Sequence, residues 1–158
     1  MAGLKTNAMR TLESAGIEYT AHEYETDGGA IDGVSVANKM GRPVEQVFKT
    51  LVAQGASREH YVFVIPVAME LDLKAAAKAV AEKSVEMIKV ADINKVTGYI
   101  RGGCSPIGMK KLFRTVIDSA CILQETIIVS AGKIGHQIEV KPDDLAGLIG
   151  AAIEDVAH

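Results

Sequence analysis

The stretch His60-Tyr-Val-Phe-Val-Ile-Pro-Val67 constrains the fold more than any other, because it is apolar almost without interruption. A strand with one wet face alternates apolar and polar residues, since successive side chains point to opposite faces. Apolar residues at both parities must therefore be covered on both faces. The chain needs layers on either side of this strand, and its other segments supply them.

Upstream, Thr6 is a cap for a helix over Asn7 to Ala15, with Gly16 as the residue that ends it. Ala8, Leu12 and Ala15 fall on one face of that helix. Glu18 to Glu25 reads as a strand, and Asp27-Gly28-Gly29 breaks it. Ser35 is placed to cap a short helix, Val36 to Met40, closed by Gly41 and Pro43. Val47 to Ala53 is a second strand, and Gly55 to Arg58 a turn.

Downstream, Asp72 is a cap for a helix from Leu73 to Glu82, with Leu73, Ala76, Ala77 and Val80 inward. Val85 to Ile88, Thr115 to Ile117, Thr126 to Ser130 and His136 to Val140 read as strands, and Asp92 to Val96 as one helical turn. Pro142 suits the first position of a last helix, where Asp143 and Asp144 complement the dipole. Its apolar stripe runs through Leu145, Leu148, Ile149, Ala152, Ile153 and Val156. Helices interspersed with about seven short strands predict a mixed α/β (α+β) single domain spanning residues 1–158. The strands are too short and unevenly spaced for a doubly wound sheet.

Composition removes several function classes. At 158 residues the chain is long enough for a core without staples. No apolar run approaches a membrane span, and Met1 to Arg10 has no apolar signal region, so a cytoplasmic location is expected. Two cysteines, Cys104 and Cys121, form neither a disulfide framework nor a CxxC zinc motif. The net charge of −3 argues against a non-specific nucleic-acid coat, though not against a local basic patch. With three phenylalanines, four tyrosines and no tryptophan, a base-stacking platform is not expected.

Two stretches carry chemistry. Gly98-Tyr-Ile-Arg-Gly-Gly-Cys-Ser-Pro-Ile-Gly108 is a loop stiffened by Pro106. The adjacent Gly102 and Gly103 permit positive φ and close approach of a ligand to backbone N–H groups. A plain turn is the simpler alternative. Met109-Lys110-Lys111-Leu112-Phe113-Arg114 then sets three cations beside the loop. In the strand Val47 to Ala53, period two puts Lys49 on a face with Val47, Leu51 and Ala53. Lys49 either snorkels to water or faces a pocket where it binds a carbonyl, carboxylate or phosphate. His22, His60, His136 and His158 form no metal-binding pair, Ser105 lacks a nucleophile-elbow context, and Ser130 to Gly135 is not a phosphate loop because no helix follows it. Cys104 is either an activated thiol or a small packing residue.

Taken together, Val47-Phe48-Lys49-Thr50-Leu51, Leu71-Asp72-Leu73-Lys74, Thr97-Gly98-Tyr99, Gly102-Gly103-Cys104-Ser105-Pro106-Ile107-Gly108, Lys110-Lys111 and Ser130-Ala131-Gly132 closely resemble the YbaK/EbsC family. These are aminoacyl-tRNA deacylases, kin to the editing domain of bacterial prolyl-tRNA synthetases. The resemblance spans nearly the whole chain. It implies a mixed, β-barrel-like sheet wrapped by helices. It also implies trans-editing of misacylated tRNA, typically Cys-tRNA(Pro), with no cofactor and no metal. The implied partners are aminoacyl-tRNA and, by extension, prolyl-tRNA synthetase.

The implied catalytic residues are Lys49, Gly102 and Gly103. Lys49 would orient the terminal adenosine or the aminoacyl group, and the glycine N–H groups would stabilise an oxyanion. The substrate's own thiol would attack its ester carbonyl, so that the protein positions and polarises. Tyr24, Thr50, Cys104, Ser105, Pro106, Ser130 and Gly132 are implied to bind substrate. Arg101, Lys110, Lys111 and Arg114 are candidates for acceptor-end phosphates, the alternative being a solvated basic turn. The chain departs from the family pattern where His136-Gln137 stands in place of a frequent Asp, and where Ile31-Asp32 stands in place of an aromatic. Two other readings therefore stand beside cysteine editing: a ProX-type Ala-tRNA(Pro) deacylase, and a tRNA- or synthetase-binding module without turnover.

Overall fold

The computed structural model describes residues 4–26 and 31–158. The first helix, α1 (Asn7–Ser14), starts where Thr6 Oγ1 accepts the Met9 N–H, and it buries Ala8, Met9 and Leu12. The first strand, β1 (Thr20–Glu23), is shorter than the Glu18 to Glu25 reading. The predicted break at Asp27-Gly28-Gly29 lies outside the described residues. Helix α2 (Gly33–Met40) begins one turn earlier than expected, because Asp32 and not Ser35 is its cap. Asp32 Oδ1 accepts the Ser35 N–H at 2.9 Å. Gly41, at φ +67°, closes the helix as expected.

Strands β2 (Phe48–Gly55) and β3 (His60–Pro66) form an antiparallel pair joined by a short turn. Helix α3 (Leu73–Ala79) is capped by Asp72, as the sequence indicated, and ends before Glu82 because Ala81 turns to φ +59°. Its Leu73 is 44% exposed, contrary to the inward placement expected, whereas Ala76, Ala77 and Val80 are buried. Strand β4 (Val85–Met87) leads through a 3-10 turn, Val90–Asp92, into α4 (Ile93–Thr97). After the glycine loop come β5 (Arg114–Asp118), a 3-10 turn Ser119–Leu123, β6 (Ile127–Lys133) and β7 (His136–Val140).

The last helix, α5 (Pro142–Ile149), has Pro142 at its start and stops at Gly150, where φ is +64°. The predicted apolar stripe therefore breaks there. Ala152–Glu154 becomes strand β8, parallel to β5, and Val156 packs in the core as an extended residue.

The strands make two sheets, β1-β7-β6 and β4-β2-β3-β5-β8. Among the described residues they form the expected mixed sheet wrapped by helices, as two sheets and not as a closed barrel. Strand β3 is covered on both faces, as its composition required. Val62 and Val64 pack with Leu12, Ile117 and Ile127, while Phe63 and Ile65 pack with Ala76 and Ala77 of α3. Among the described residues, the backbones of the two sheets are joined where Val47 bridges Ile128 and the Gln46 carbonyl accepts the Ile128 N–H at 2.9 Å.

Candidate active site

The join between the sheets creates the site. On its outer edge, β2 is tied to β6 at Val47 and to β4 only over Ala53–Gly55. Between those ties, among the described residues, no strand lies along the edge. The hydrogen bonds assign its polar groups by parity. The carbonyls of Gln46 and Val52 point outward, to Ile128 and Ile88, and that of Val47 points inward, to Val67. Period two then turns the backbone groups of Phe48 and Thr50 toward the open edge. A cavity of about 730 Å³ occupies this gap, a size usual for ligand sites.

Its walls come from distant parts of the chain. Lys49, Thr50 and Leu51 line it from β2, Ser130 and Gln137 from the other sheet, and Arg101, Gly102 and Cys104 from the glycine loop. Asp32 and Val34 from the start of α2, with Met87, Ile88, Val90 and Ile93, complete it. Lys49 is half-buried, and its side chain forms no hydrogen bond or ion pair among the described residues, so its ammonium is available to a ligand. The hydroxyl of Thr50 is buried without a partner among the described residues. A buried orphan hydroxyl is destabilising by roughly 1–3 kcal/mol, which a ligand acceptor could recover.

The glycine loop is held rigidly. Tyr99 Oη donates to the Ile107 carbonyl at 2.5 Å, closing the loop on itself. The Tyr99 ring lies against Gly132, where an added Cβ would come within 2.9 Å of a ring carbon. Thr97 Oγ1 accepts the Tyr99 N–H, and the Thr97 carbonyl accepts the Lys110 N–H. Gly102 lines the cavity at φ +84°, a conformation that favours glycine.

Gly103 differs from its predicted role. It is buried, and its N–H is taken by the Ile100 carbonyl at 3.0 Å. Its Cα sits against the backbone of Lys133 and Ile134, so it seats the loop on the β6–β7 turn instead of facing substrate. Of the two N–H groups expected as oxyanion donors, that of Gly103 is engaged within the loop, while Gly102 lines the cavity.

The other expected substrate residues divide likewise. Thr50, Cys104 and Ser130 line the cavity. Ser105 and Pro106 lie buried behind the wall, with Ser105 Oγ accepting the Ile107 N–H. Gly132 donates its N–H to Ser130 Oγ, fixing that side chain at the bulge in β6. Tyr24 is buried outside the cavity, its N–H on the Gly135 carbonyl.

Burial pushes the Cys104 thiol up to about 11, so it is a neutral thiol at physiological pH and a poor nucleophile. Of the cations, Arg101 lines the cavity, and Lys110 and Lys111 are exposed beside it in the chain. Arg114 is elsewhere: its guanidinium donates to the Ala79 and Val80 carbonyls at the end of α3.

Sequence reasoning missed Asp32 and the apolar wall of Met87, Ile88, Val90 and Ile93 as site residues. In the sequence Asp32 stands out only where Ile31-Asp32 stands in place of an aromatic, and Ser35 is the expected cap. Gln137, flagged where the pattern departs, lines the cavity, while His136 beside it turns toward Glu23. Among the described residues, no group of histidines, cysteines and acids is disposed to hold a metal.

Residues 31–148 match the family model of the aminoacyl-tRNA editing domain. The chain belongs to that family. It is also 43% identical over 152 residues to a protein of Enterococcus faecalis that bears the provisional name Cys-tRNA(Pro)/Cys-tRNA(Cys) deacylase EbsC, covering 96% of this chain and 93% of that one. Two solved structures share the fold. One, provisionally titled a trans-editing enzyme for prolyl-tRNA synthetase, is 22% identical with a TM-score of 0.82 and covers 99% of each chain. The other, the hypothetical protein APE2540, is 19% identical with a TM-score of 0.85, covering 94% of this chain and 97% of that one. The editing-family match spans β2, the glycine loop and the β6–β7 hairpin, the same elements that enclose the cavity.

Proposed function

We propose that this protein is a trans-editing aminoacyl-tRNA deacylase that removes cysteine from Cys-tRNA(Pro), with the cavity at the parting of the two sheets as its site. Family membership and the EbsC relative support the reaction class. The observation that carries the site is the Lys49 ammonium, without a partner among the described residues, in a cavity also lined by Gly102 and Ser130 and open on a strand edge. Synthetases separate small side chains by only ~1–3 kcal/mol, so a second pocket that removes errors after release is needed.

In the reaction, Lys49 holds the ester end of the substrate through its carbonyl or the ribose. The Gly102 N–H donates to the developing oxyanion, a contribution of about 10²–10³ in rate for one well-placed donor. The substrate thiol attacks its own carbonyl, its proton passes to the ribose oxygen, which leaves as the hydroxyl, and water then opens the strained cyclic thioester to free cysteine. The effective molarity of a bound intramolecular nucleophile supplies the acceleration that a protein nucleophile would otherwise provide. The neutral Cys104 thiol fits this division of labour, because it does not compete for the carbonyl. Arg101, Lys110 and Lys111 take acceptor-end phosphates. Prolyl-tRNA synthetase, as the source of the misacylated tRNA, is the partner beside which the protein works in the cytoplasm.

A substrate panel tests the reading. Cys-tRNA(Pro) should be deacylated in single turnover, and Ala-tRNA(Pro) and S-methylcysteinyl-tRNA(Pro) should persist, since neither has a free thiol. Rapid loss of alanine would move the protein to the ProX-type class. Rapid loss of S-methylcysteine would eliminate thiol attack, and no hydrolysis at all would leave only a binding module.

A further inference from the structure

The charges around the cavity are unequal in a way that orients a ligand. Among the described residues lining it there is one carboxylate, Asp32, and there are two cations, Lys49 and Arg101. None of the three is paired with another, because no salt bridge among the described residues joins them. The β7 wall offers no charge, since the buried Gln137 there is a neutral amide. An aminoacyl ester is polar in the complementary sense. It carries a cationic α-ammonium on the carbon next to the reacting carbonyl, and the anionic tRNA backbone lies beyond the ribose.

We propose that Asp32 is a positioning residue that receives the substrate's α-ammonium and so turns the ester carbonyl toward Lys49 and Gly102. The inference rests on the aminoacyl-ester reading above.

The carboxylate is already fixed for this task. Its Oδ1 accepts the Ser35 N–H at 2.9 Å and its Oδ2 accepts the Ser35 hydroxyl at 2.9 Å, so its rotamer is set by the helix it caps. Each oxygen of a carboxylate accepts about two hydrogen bonds, which leaves one site per oxygen for an ammonium. The same Ser35 hydrogen bonds, backbone first, hold the Asp32 carboxyl below its ordinary value. The group is thus ionised at neutral pH, where an α-amine, titrating at about 8, is largely protonated. Such pairing selects a free α-amine. A peptidyl or N-acylated ester, which lacks the cation and adds bulk, is rejected, so nascent peptidyl-tRNA is protected from the enzyme.

The test is Asp32→Asn, compared with wild type on Cys-tRNA(Pro) and on N-acetylcysteinyl-tRNA(Pro). Asparagine caps a helix about as well as aspartate, so α2 is retained and thermal unfolding checks that it is. For wild type, the acetylated ester should have a KM about tenfold or more higher than the free amine. Asp32→Asn should raise KM for the free amine by about the same factor, lower kcat as the carbonyl loses its orientation, and shrink the discrimination toward unity. Wild-type KM should also rise as pH passes the amine's pKa, and the variant's should not. An unchanged KM in a folded Asp32→Asn protein, or persisting discrimination, would overturn the assignment. Failure of wild type to hydrolyse the free-amine ester would instead sink the deacylase reading itself.

Discussion

Replacing Gly132 by alanine tests how the glycine loop is seated. Gly132 has φ +100°, and an added Cβ would stand 2.9 Å from Tyr99 Cε1 and 3.4 Å from Tyr99 Oη. The backbone contribution, for a side chain held at left-handed φ, is about 1–2 kcal/mol. Ordinary carbon contacts lie near 3.5–4.0 Å, so the ring must also retreat by about half an ångström or more. That retreat weakens the Tyr99 Oη bond to the Ile107 carbonyl, worth about 0.5–1.5 kcal/mol. The sum is about 1.5–3.5 kcal/mol, or a fall of roughly 3–14 °C in Tm for a domain of this size. Denaturant unfolding of wild type, Gly132→Ala, Tyr99→Ala and the double variant separates the two parts. In the Tyr99→Ala background the ring is gone, so Gly132→Ala should lose only the backbone contribution, giving a coupling of about 1 kcal/mol. Strict additivity, or a Gly132→Ala protein as stable as wild type, would refute the packing argument. Because Ser130 Oγ accepts the Gly132 N–H, deacylation by the folded variant should fall as well.

Other perturbations read other parts of the structure. Cys104 is raised above its unfolded value, so its contribution to stability is complete below about pH 9 and is lost as pH rises toward about 11. Alkylation of Cys104 by iodoacetamide should accordingly be slow at pH 8 and accelerate up to about pH 11, and a midpoint near 8.5 would contradict the burial argument. Charge reversal at Lys110 and Lys111 should weaken tRNA binding and flatten its dependence on salt. Arg114→Ala should leave that salt slope alone and lower stability by about 1 kcal/mol, because its guanidinium caps α3. Gly33→Ala would thrust a Cβ to 2.4 Å from Val67 Cγ1, so it should destabilise by about 1–3 kcal/mol and, by pushing α2 off β3, raise KM. A wild-type Tm and KM for that variant would contradict it.

Much of this was legible in the sequence because it is local. The capping of α1 by Thr6 and of α3 by Asp72, the end of α2 at Gly41 and the doubly covered β3 each follow from a few adjacent residues. Where two local solutions compete, the sequence underdetermines the outcome. Asp32 and Ser35 are both residue types that cap helices, and the structure uses Asp32, with the Ser35 N–H and hydroxyl donating to its carboxylate. The stripe through Ala152, Ile153 and Val156 fits a helix by spacing, but Gly150 ends it and β5 offers a parallel edge to pair with. Non-local geometry was the hidden part. Lys49 and Gly102 announced themselves by motif, yet Asp32, Gln137 and the Met87 to Ile93 wall reach the cavity because the two sheets meet at the Val47–Ile128 bridge. Arg114 shows the converse. It is near the basic turn in sequence, and β5 carries it away to α3.

Single-turnover deacylation of Cys-tRNA(Pro) by Lys49→Ala, beside wild type and with tRNA affinity measured in parallel, tests the account most directly. With Lys49 removed and the fold intact, the rate should fall by about 10²-fold or more. Deacylation at the wild-type rate by a folded Lys49→Ala protein would contradict the assignment of the cavity between the sheets as the site of reaction.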